Sequence, residues 1–306
     1  MKSFIVSALS FLIAANYSFS QSFDIEFNLK NNDSFKSNFT VETTMKQTIM
    51  GIDQNIDMKM EMSYNQQVID ITNDNLYKLK TEFNRVYLHV DYAFDIIKMD
   101  TDRHDPSDTL SVMMKELMNK PFTLCLDKTG KIKDLYGFEK YITEISESKN
   151  LDSNQHYILS EELKKIMGEE LIKQNFTYFF GCYPDIPVRR NESWVVSYPL
   201  EQSGMKVFFN GKGVLVEVTS KTFLIRIDGT IETLDSEDGQ DQQLFSLSGK
   251  QVSEILIDRR NGWPSKSTVT QEISGNLKIM ETPADTSSIE VPMQIKMRIN
   301  MNSTRQ

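Results

Sequence analysis

The sequence predicts an α+β protein: a curved, half-barrel-like antiparallel β-sheet with about three helices packed on one face. Apolar and polar residues alternate with a period of two through most of residues 23–92, and again from residue 194 to the C-terminus. This alternation is typical of strands with one buried face. Breaks rich in Asn, Asp and Gly separate the strands, which favours an antiparallel meander. Helical spacing of apolar residues is concentrated between the two β regions.

Residues 1–20 have the composition of a secretory signal peptide. Lys2 precedes an apolar run, and Ser18 and Ser20 are small residues at the positions that signal peptidase reads before Gln21. The run is too short to span a bilayer, and no later segment approaches about 18 apolar residues. We therefore expect an exported protein, periplasmic or secreted, that does not span the membrane.

The remainder, 21–306, is predicted to be a single β-rich domain. It would consist of an N-terminal β half (21–100), a helical middle with a β-hairpin (101–182) and a C-terminal β half (183–306). The chain has 34 Lys and Arg against 43 Asp and Glu, a formal charge of −9. Its basic residues are scattered, which argues against a nucleic-acid partner.

In the N-terminal half, the long strand at 77–90 changes phase. Its apolar residues move from odd to even positions between Phe83 and Val90, which predicts a β-bulge. The polar loop that follows contains four aspartates and His104. It begins like a calcium loop but lacks the glycine of that motif, so we predict no metal and a solvated turn. Asp108 or Thr109 would cap a helix at about 109–119.

Residues 121–142 predict a strand, a tight turn, a second strand and the start of a helix. Asp127 and Gly130 have the turn chemistry, and Gly137 precedes the helix. A third helix is expected from about 154 or 155 to 174. The aromatic patch that follows is interpreted as core or, alternatively, as a ligand surface: Phe176, Tyr178, Phe179 and Phe180.

The C-terminal half carries three turn-like segments. Residues 211–213, Gly-Lys-Gly, are interpreted as a hairpin, and Asp228-Gly229 as either a hairpin or a kink in a strand. Asn261-Gly262 is the strongest hairpin signal. The last strand alternates over 291–301, and Pro292 excludes a central position in the sheet at that point.

Two cysteines, Cys125 and Cys182, lie in the expected mature chain. Export would permit a disulfide between them. The alternative is a pair of small buried apolar side chains.

Catalytic and cofactor motifs are absent from the sequence. We find no HExxH, CxxC or GxSxG, and Gly211 and Gly213 lack the third glycine of a dinucleotide fingerprint. Carboxylate pairs for glycoside hydrolysis depend on distances that a sequence does not give. The sequence therefore favours a noncatalytic protein without catalytic residues, cofactor or metal.

The chain has 16 methionines, many of them on strand faces. Methionine adapts its shape to irregular apolar partners. These faces would either pack on the helices or line a cleft for a lipid-like ligand. The predicted ligand-lining residues are Met45, Met58, Met60, Met62, Met293, Met297 and Met301.

Several segments together resemble an uncharacterised domain-of-unknown-function family of exported proteins from Gram-negative bacteria. They are the strand 77–90 with the acidic turn 99–102, the segments 122–130 and 136–138, and residues 187–194. More distantly, the strand, turn and Pro-led return strand at 257–264 is similar to the half-barrels of periplasmic lipoprotein carriers. The family resemblance implies no activity, and the second implies a fold only.

We therefore expect a noncatalytic exported cell-envelope protein that binds a hydrophobic, lipid-like ligand or a protein partner. The alternatives are a structural or assembly factor without a small ligand, and an uncharacterised hydrolase. A large apolar cleft would favour the first function, a filled core with an exposed apolar edge the second, and a cleft with converging carboxylates the third.

Overall fold

The computed structural model describes residues 21–49, 51–92, 95–103, 108–147, 157, 160–161, 164, 168–202, 205–233, 245–280 and 288–306. The predicted signal peptide, His104 and most of the first half of the third predicted helix lie outside these ranges. Within them the chain forms fourteen strands and three helices, which are, in chain order, β1 (Ser22–Phe23), β2 (Ser34–Ile49), β3 (Ile52–Ile71), β4 (Tyr77–Tyr92), β5 (Asp95–Asp100), α1 (Thr109–Leu117), β6 (Phe122–Leu126), β7 (Ile132–Tyr136), α2 (Phe138–Glu147), α3 (Glu169–Phe180), β8 (Val188–Arg189), β9 (Ser193–Gln202), β10 (Met205–Val218), β11 (Thr222–Thr233), β12 (Phe245–Asp258), β13 (Pro264–Met280) and β14 (Ser288–Arg305).

Twelve of the strands form one antiparallel sheet. Its order is β7-β6-β4-β3-β2-β14-β13-β12-β11-β10-β9, with β5 paired to β4, while β1 and β8 pair with each other. The sheet is curved and unclosed, and all three helices contribute apolar residues to the core on its inner face. The predicted fold class, α+β with a half-barrel-like antiparallel sheet and about three helices, is confirmed.

The N- and C-terminal β regions meet where β2 pairs with β14. The register runs from Met293 opposite Gln47 to Arg305 opposite Phe35. Pro292 pairs with β13 but precedes the first residue paired with β2. Because proline cannot donate to a ladder, the strand becomes central only after it, as predicted.

Bulges explain part of the curvature of the sheet. Ser63 of β3 pairs with Arg85 of β4, and the next residue, Tyr64, pairs with Phe83. Asn84 is therefore an extra, unpaired residue on β4. A second register shift interrupts the β10–β11 pairing. An extra residue bends its strand and increases the local twist. The bulge at Asn84 confirms the phase change predicted between Phe83 and Val90.

An aromatic cluster fills one end of the half-barrel. It consists of Phe27, Phe35, Phe180, Tyr183 and Trp263, all buried. The rings of Phe35 and Trp263 are stacked with centroids 4.0 Å apart, and Phe27 lies 5.0 Å from Tyr183 and 5.6 Å from Phe180. Apolar rings of this size supply a large share of core burial. The cluster therefore fixes the C-terminal end of α3 against the sheet.

Local chemistry places the predicted turns and caps. The Asp127 side chain accepts hydrogen bonds from the backbone amides of Thr129 and Lys131 at 2.9 and 3.0 Å, and Gly130 has φ +77°. Asp108 caps α1 by accepting a hydrogen bond from the Ser111 amide at 3.0 Å. These predictions are confirmed.

The hairpin predicted at 211–213 is wrong. Both glycines lie inside the continuous strand β10. A Cβ atom would lie 2.6 Å from the Phe209 ring at Gly211 and 2.6 Å from the Trp194 ring at Gly213. The glycines therefore make room for aromatic rings within a strand. In the sequence, such glycines cannot be distinguished from glycines that form a turn. Asp228-Gly229 is likewise within β11, so the kink alternative applies.

The third helix predicted from about 154 or 155 to 174 is interrupted at Gly168, and its second part ends later than predicted. Helix α3 begins after Gly168 and continues to Phe180, with the Gly181 amide bonded to the Thr177 carbonyl at 2.9 Å. The aromatic patch is thus part of the helix. Residues 172, 176, 179 and 180 have helical spacing and are all buried.

The structure contains two free, buried thiols in place of a disulfide. Cys125 alternates with Leu124 and Leu126, which lie in the core, so it faces the opposite side of the sheet. Cys182 lies in the core, where its Sγ is 3.5 Å from the Phe179 carbonyl oxygen. The bridge is absent because the two side chains lie on opposite faces of the sheet.

Candidate ligand-binding cavity

A cavity of about 230 Å³ lies between the inner face of the sheet and helix α3. On β2 it starts at Phe39, four residues beyond Phe35 of the aromatic cluster. At about 3.3 Å per residue, Phe39 of the cavity and Phe35 of the aromatic cluster are roughly 13 Å apart along β2. The described lining residues are Phe39, Val41, Met58, Met60, Met62, Tyr64, Phe83, Val86, Leu88, Met99, Ile172, Gln174, Asn175, Phe176, Tyr178, Phe179, Val207, Ile231, Gln271, Ile273, Met297 and Ile299.

Four of the seven predicted methionines line this cavity. They are Met58, Met60 and Met62 on β3 and Met297 on β14, which the β2 strand brings to neighbouring positions of one face. Period-two alternation places every second residue of a strand on the same side, which is why these methionines share inward faces.

The other three predicted methionines are absent from the lining: Met45, Met293 and Met301. Met301 is buried, with its sulfur 4.0 Å from the Tyr64 hydroxyl. Met293 is buried further along β14. The sequence could not separate these positions, because alternation identifies a face of a strand but not which part of that face is covered.

One side of α3 supplies the helical part of the lining. Ile172, Phe176 and Phe179 are buried against the sheet, and Phe179 meets Phe39 edge-to-face at 5.2 Å. Gln174 and Asn175 lie three or four residues before Tyr178, so all three occupy one side of the helix. The helix therefore presents an apolar surface flanked by amide and hydroxyl groups.

A buried hydrogen-bond network reaches the cavity at Gln271. Gln271 Nε2 donates to Gln251 Oε1 at 2.7 Å, and Gln251 Nε2 donates to the Tyr198 hydroxyl at 2.9 Å. The Tyr178 hydroxyl lies close enough to the Gln271 side chain to lower the pKa of Tyr178 slightly against the effect of burial. Gln251 is 1% exposed and Gln271 2%. Buried amides held by several bonds have fixed orientations.

The cavity wall is electrically neutral. None of the described lining residues is Asp, Glu, Lys, Arg or His. Burial raises the pKa of Tyr178 to about 12, with a smaller opposing effect from the Gln271 side chain. Burial likewise raises the pKa of Tyr64 and of Tyr198. These hydroxyls stay protonated near neutral pH. Tyr64 and Tyr178 line the cavity, so its wall offers hydrogen bonds without charge, whereas Tyr198 lies behind it, bonded to Gln251.

The described cavity lining has few reactive side chains. It contains no serine, cysteine or histidine, so no nucleophile–base pair faces the cavity among the residues that the structure describes. In the same ranges, no three His, Cys, Asp or Glu side chains are grouped to hold a metal ion. None of the described helices is long and apolar enough to cross a membrane.

Among the lining residues that the sequence did not predict are Gln271 and the α3 amides Gln174 and Asn175. A signal for Gln271 was available, since it occupies the inward phase of β13 between Val269 and Ile273. A polar residue in an apolar phase indicates a buried polar site. Gln174 and Asn175 carried no such signal, because their burial depends on how α3 lies on the sheet.

Solved structures similar to this chain are remote. Lipovitellin, from a study of its lipid–protein interactions, matches 90% of this chain and 25% of its own at 10% identity and TM-score 0.47. The chain thus spans about a quarter of that protein. DynF, from the dynemicin biosynthesis pathway of Micromonospora chersina, matches 93% and 86% at 6% identity and TM-score 0.22. A Vibrio parahaemolyticus domain described as outer membrane lipoprotein-sorting matches 88% and 85% at 11% identity and TM-score 0.11. None is similar enough to support an argument about function.

Sequence comparison gives a family. No curated protein matches the chain significantly. The model of a family of unknown function, DUF6263, matches residues 74–264, which include most strands of the sheet and all three described helices. This confirms the resemblance to an uncharacterised family. The chain belongs to the family of unknown function DUF6263.

Proposed function

We propose that the protein is an exported, noncatalytic cell-envelope protein that binds one apolar, lipid-like ligand in the cavity under α3. The observation that carries this proposal is the cavity of about 230 Å³ with a mostly apolar wall. Ligand sites are commonly concave and apolar, with few polar groups that fix orientation. The lining contains this combination.

The volume indicates a small apolar group. An apolar cavity of about 150 Å³ accepts benzene, with its six carbons, so about 230 Å³ scales to roughly nine carbons. That is room for one acyl chain of medium length. It is too small for the several chains of a phospholipid or a triacylated lipoprotein.

Methionine gives the wall its adaptability. Five lining residues are methionines: Met58, Met60, Met62, Met99 and Met297. Their unbranched side chains reach different shapes at low cost, so the wall can close on chains of different length or unsaturation. A wall of β-branched residues would be more rigid.

Native mass spectrometry of the purified protein, with lipid extraction, tests ligand binding directly. We expect a bound mass that organic solvent removes, and saturable binding of the neutral fluorescent dye N-phenyl-1-naphthylamine. An unliganded mass together with no dye binding would overturn the proposal and favour a structural or assembly factor.

A matched pair of variants on β14 locates the binding site. Met297 and Met293 are 6% and 5% exposed, but only Met297 is among the lining residues. Glutamine has nearly the size of methionine, so Met297→Gln adds a polar group to the wall, and dye affinity should fall about tenfold. Met293→Gln carries a similar folding cost and should leave dye affinity unchanged. Equal effects of both changes would place the dye elsewhere.

Export is a separate part of the proposal. It is supported by the charge, apolar run and small residues of residues 1–20. N-terminal sequencing of protein from the cell envelope should begin at Gln21. An unprocessed chain found in the cytosol would contradict it.

A further inference from the structure

We infer that the cavity selects a neutral single-chain amphiphile, with an alcohol, ester or amide head group, over the ionised fatty acid of the same chain length. This inference rests on the proposed function. It adds the chemical class of the ligand and the direction in which that ligand lies.

The described part of the cavity wall carries no charged side chain. The described lining residues include no cation. An ionised carboxylate that leaves water needs a cation or several strong donors, and without them its transfer is very unfavourable. A neutral head group loses far less on the same transfer. The wall therefore disfavours the carboxylate and tolerates the alcohol or amide.

The side of the cavity formed by β13 and α3 is polar. Helix α3 packs against β13, which places Gln271 beside Tyr178, and Gln174 and Asn175 lie on the same side of the helix as Tyr178. These are amide and hydroxyl groups, which can both donate and accept hydrogen bonds. They form the polar side of the cavity.

The opposite side is mostly apolar, since the hydroxyl of its lining residue Tyr64 faces the Met301 sulfur. It is built by β3, β4 and β5, with Met58, Met60, Leu88 and Met99 facing the cavity. β3 lies three strands from β13 in the sheet order, which is about 14 Å at the usual strand spacing. The head group should therefore lie against Gln271 and α3, with the chain directed towards the methionines of β3.

The side chain of Gln271 has a fixed orientation. Its Nε2 is bonded to Gln251, which is bonded in turn to Tyr198. An amide held in this way presents the same hydrogen-bonding atoms to every ligand. Head-group preference requires such a preset partner, because a mobile amide would rotate to suit either donor or acceptor.

Competition against the bound neutral dye measures the preference. Decanamide, decanol and decanoate share a chain length, and at about pH 8 the decanoate is ionised. We expect decanamide and decanol to displace the dye at concentrations at least about tenfold lower than decanoate. Equal or stronger displacement by decanoate would overturn the inference.

A charge-placement experiment separates head-group recognition from general hydrophobicity. Asn175→Lys puts a cation on the polar side at a half-buried position, and Gln174→Lys is a second variant of the same kind. Either should improve decanoate displacement about tenfold, because the new cation pairs with the carboxylate. Met60→Lys, also half-buried but on the apolar side, should not.

The outcomes distinguish the two proposals. Dye binding without any head-group preference, or equal gains for Asn175→Lys and Met60→Lys, would overturn the neutral-amphiphile inference and leave the proposed function standing. Failure of the dye and of all three decyl compounds to bind would overturn the proposed function itself.

Discussion

The Gln251–Gln271 hydrogen bond should behave as a coupled unit in stability measurements. Gln251→Leu keeps the approximate size of the side chain but removes bonds to Tyr198, Ser253 and Gln271. At least the Tyr198 hydroxyl and the Gln271 amide are then left buried without a partner. Each such group costs about 1–3 kcal/mol, so we expect the free energy of unfolding to fall by about 4 kcal/mol.

The double variant should be more stable than the sum of the single changes predicts. Gln271→Leu alone leaves the Gln251 carbonyl without its partner, at a cost of about 2 kcal/mol. When both glutamines are replaced, neither end of their shared bond remains unpaired. The Gln271 amide and the Gln251 carbonyl each cost about 2 kcal/mol in the single variants, so the double variant should regain about 4 kcal/mol relative to additivity.

Urea unfolding followed by tryptophan fluorescence measures the cycle, since the chain has two tryptophans and Trp263 is buried in the aromatic cluster. A control cycle pairs Gln251→Leu with Leu135→Ala on β7, at the other end of the sheet order, and should be additive. Additivity within about 0.5 kcal/mol for the glutamine pair would refute the network.

Two further predictions concern the cysteines and the Asp127 turn. Cys125 and Cys182 should react slowly with a thiol reagent in the folded protein, because both are buried and burial raises their pKa. Two thiols should appear on unfolding without reductant, whereas none would indicate a disulfide. Burial acts to raise the pKa of Asp127, but hydrogen bonds from lysine, threonine and backbone amides outweigh it and lower that pKa. The stability that this carboxylate adds is therefore fully present above its ordinary pKa near 3.8 and is lost as the pH falls through the lowered value. Unfolding of the wild type and Asp127→Asn should converge over that acidic range, and a gap that stays constant from neutral to strongly acidic pH would contradict this.

Elements whose signal is local could be predicted from the sequence. The bulge at Asn84, the turn at Asp127 and the cap at Asp108 each depend on residues within a few positions of one another. The hairpin predicted at Gly211 and Gly213 was wrong, because these glycines accommodate the rings of Phe209 and Trp194, and the ring of Trp194 comes from another strand. A glycine that accommodates a ring and a glycine that turns the chain look alike in sequence.

The candidate site was predictable only in part, for a related reason. Alternation correctly placed Met58 and Met297 on inward faces, and both line the cavity. It placed Met293 on the same face with equal weight, although Met293 does not line the cavity. The neutral polar side was not predicted, because its formation depends on α3 lying over Gln271, and no pattern within β13 encodes that contact.

The sequence by itself determined the antiparallel strands, their inward faces and most of their turns, since period-two burial and turn chemistry are properties of short segments. Tertiary structure alone decided that β2 pairs with β14, that the cysteines face opposite sides, and that α3 leaves a cavity over the methionines of β3. Those outcomes depend on contacts between segments up to hundreds of residues apart, where the curvature of the sheet and the position of one helix determine which apolar faces are filled.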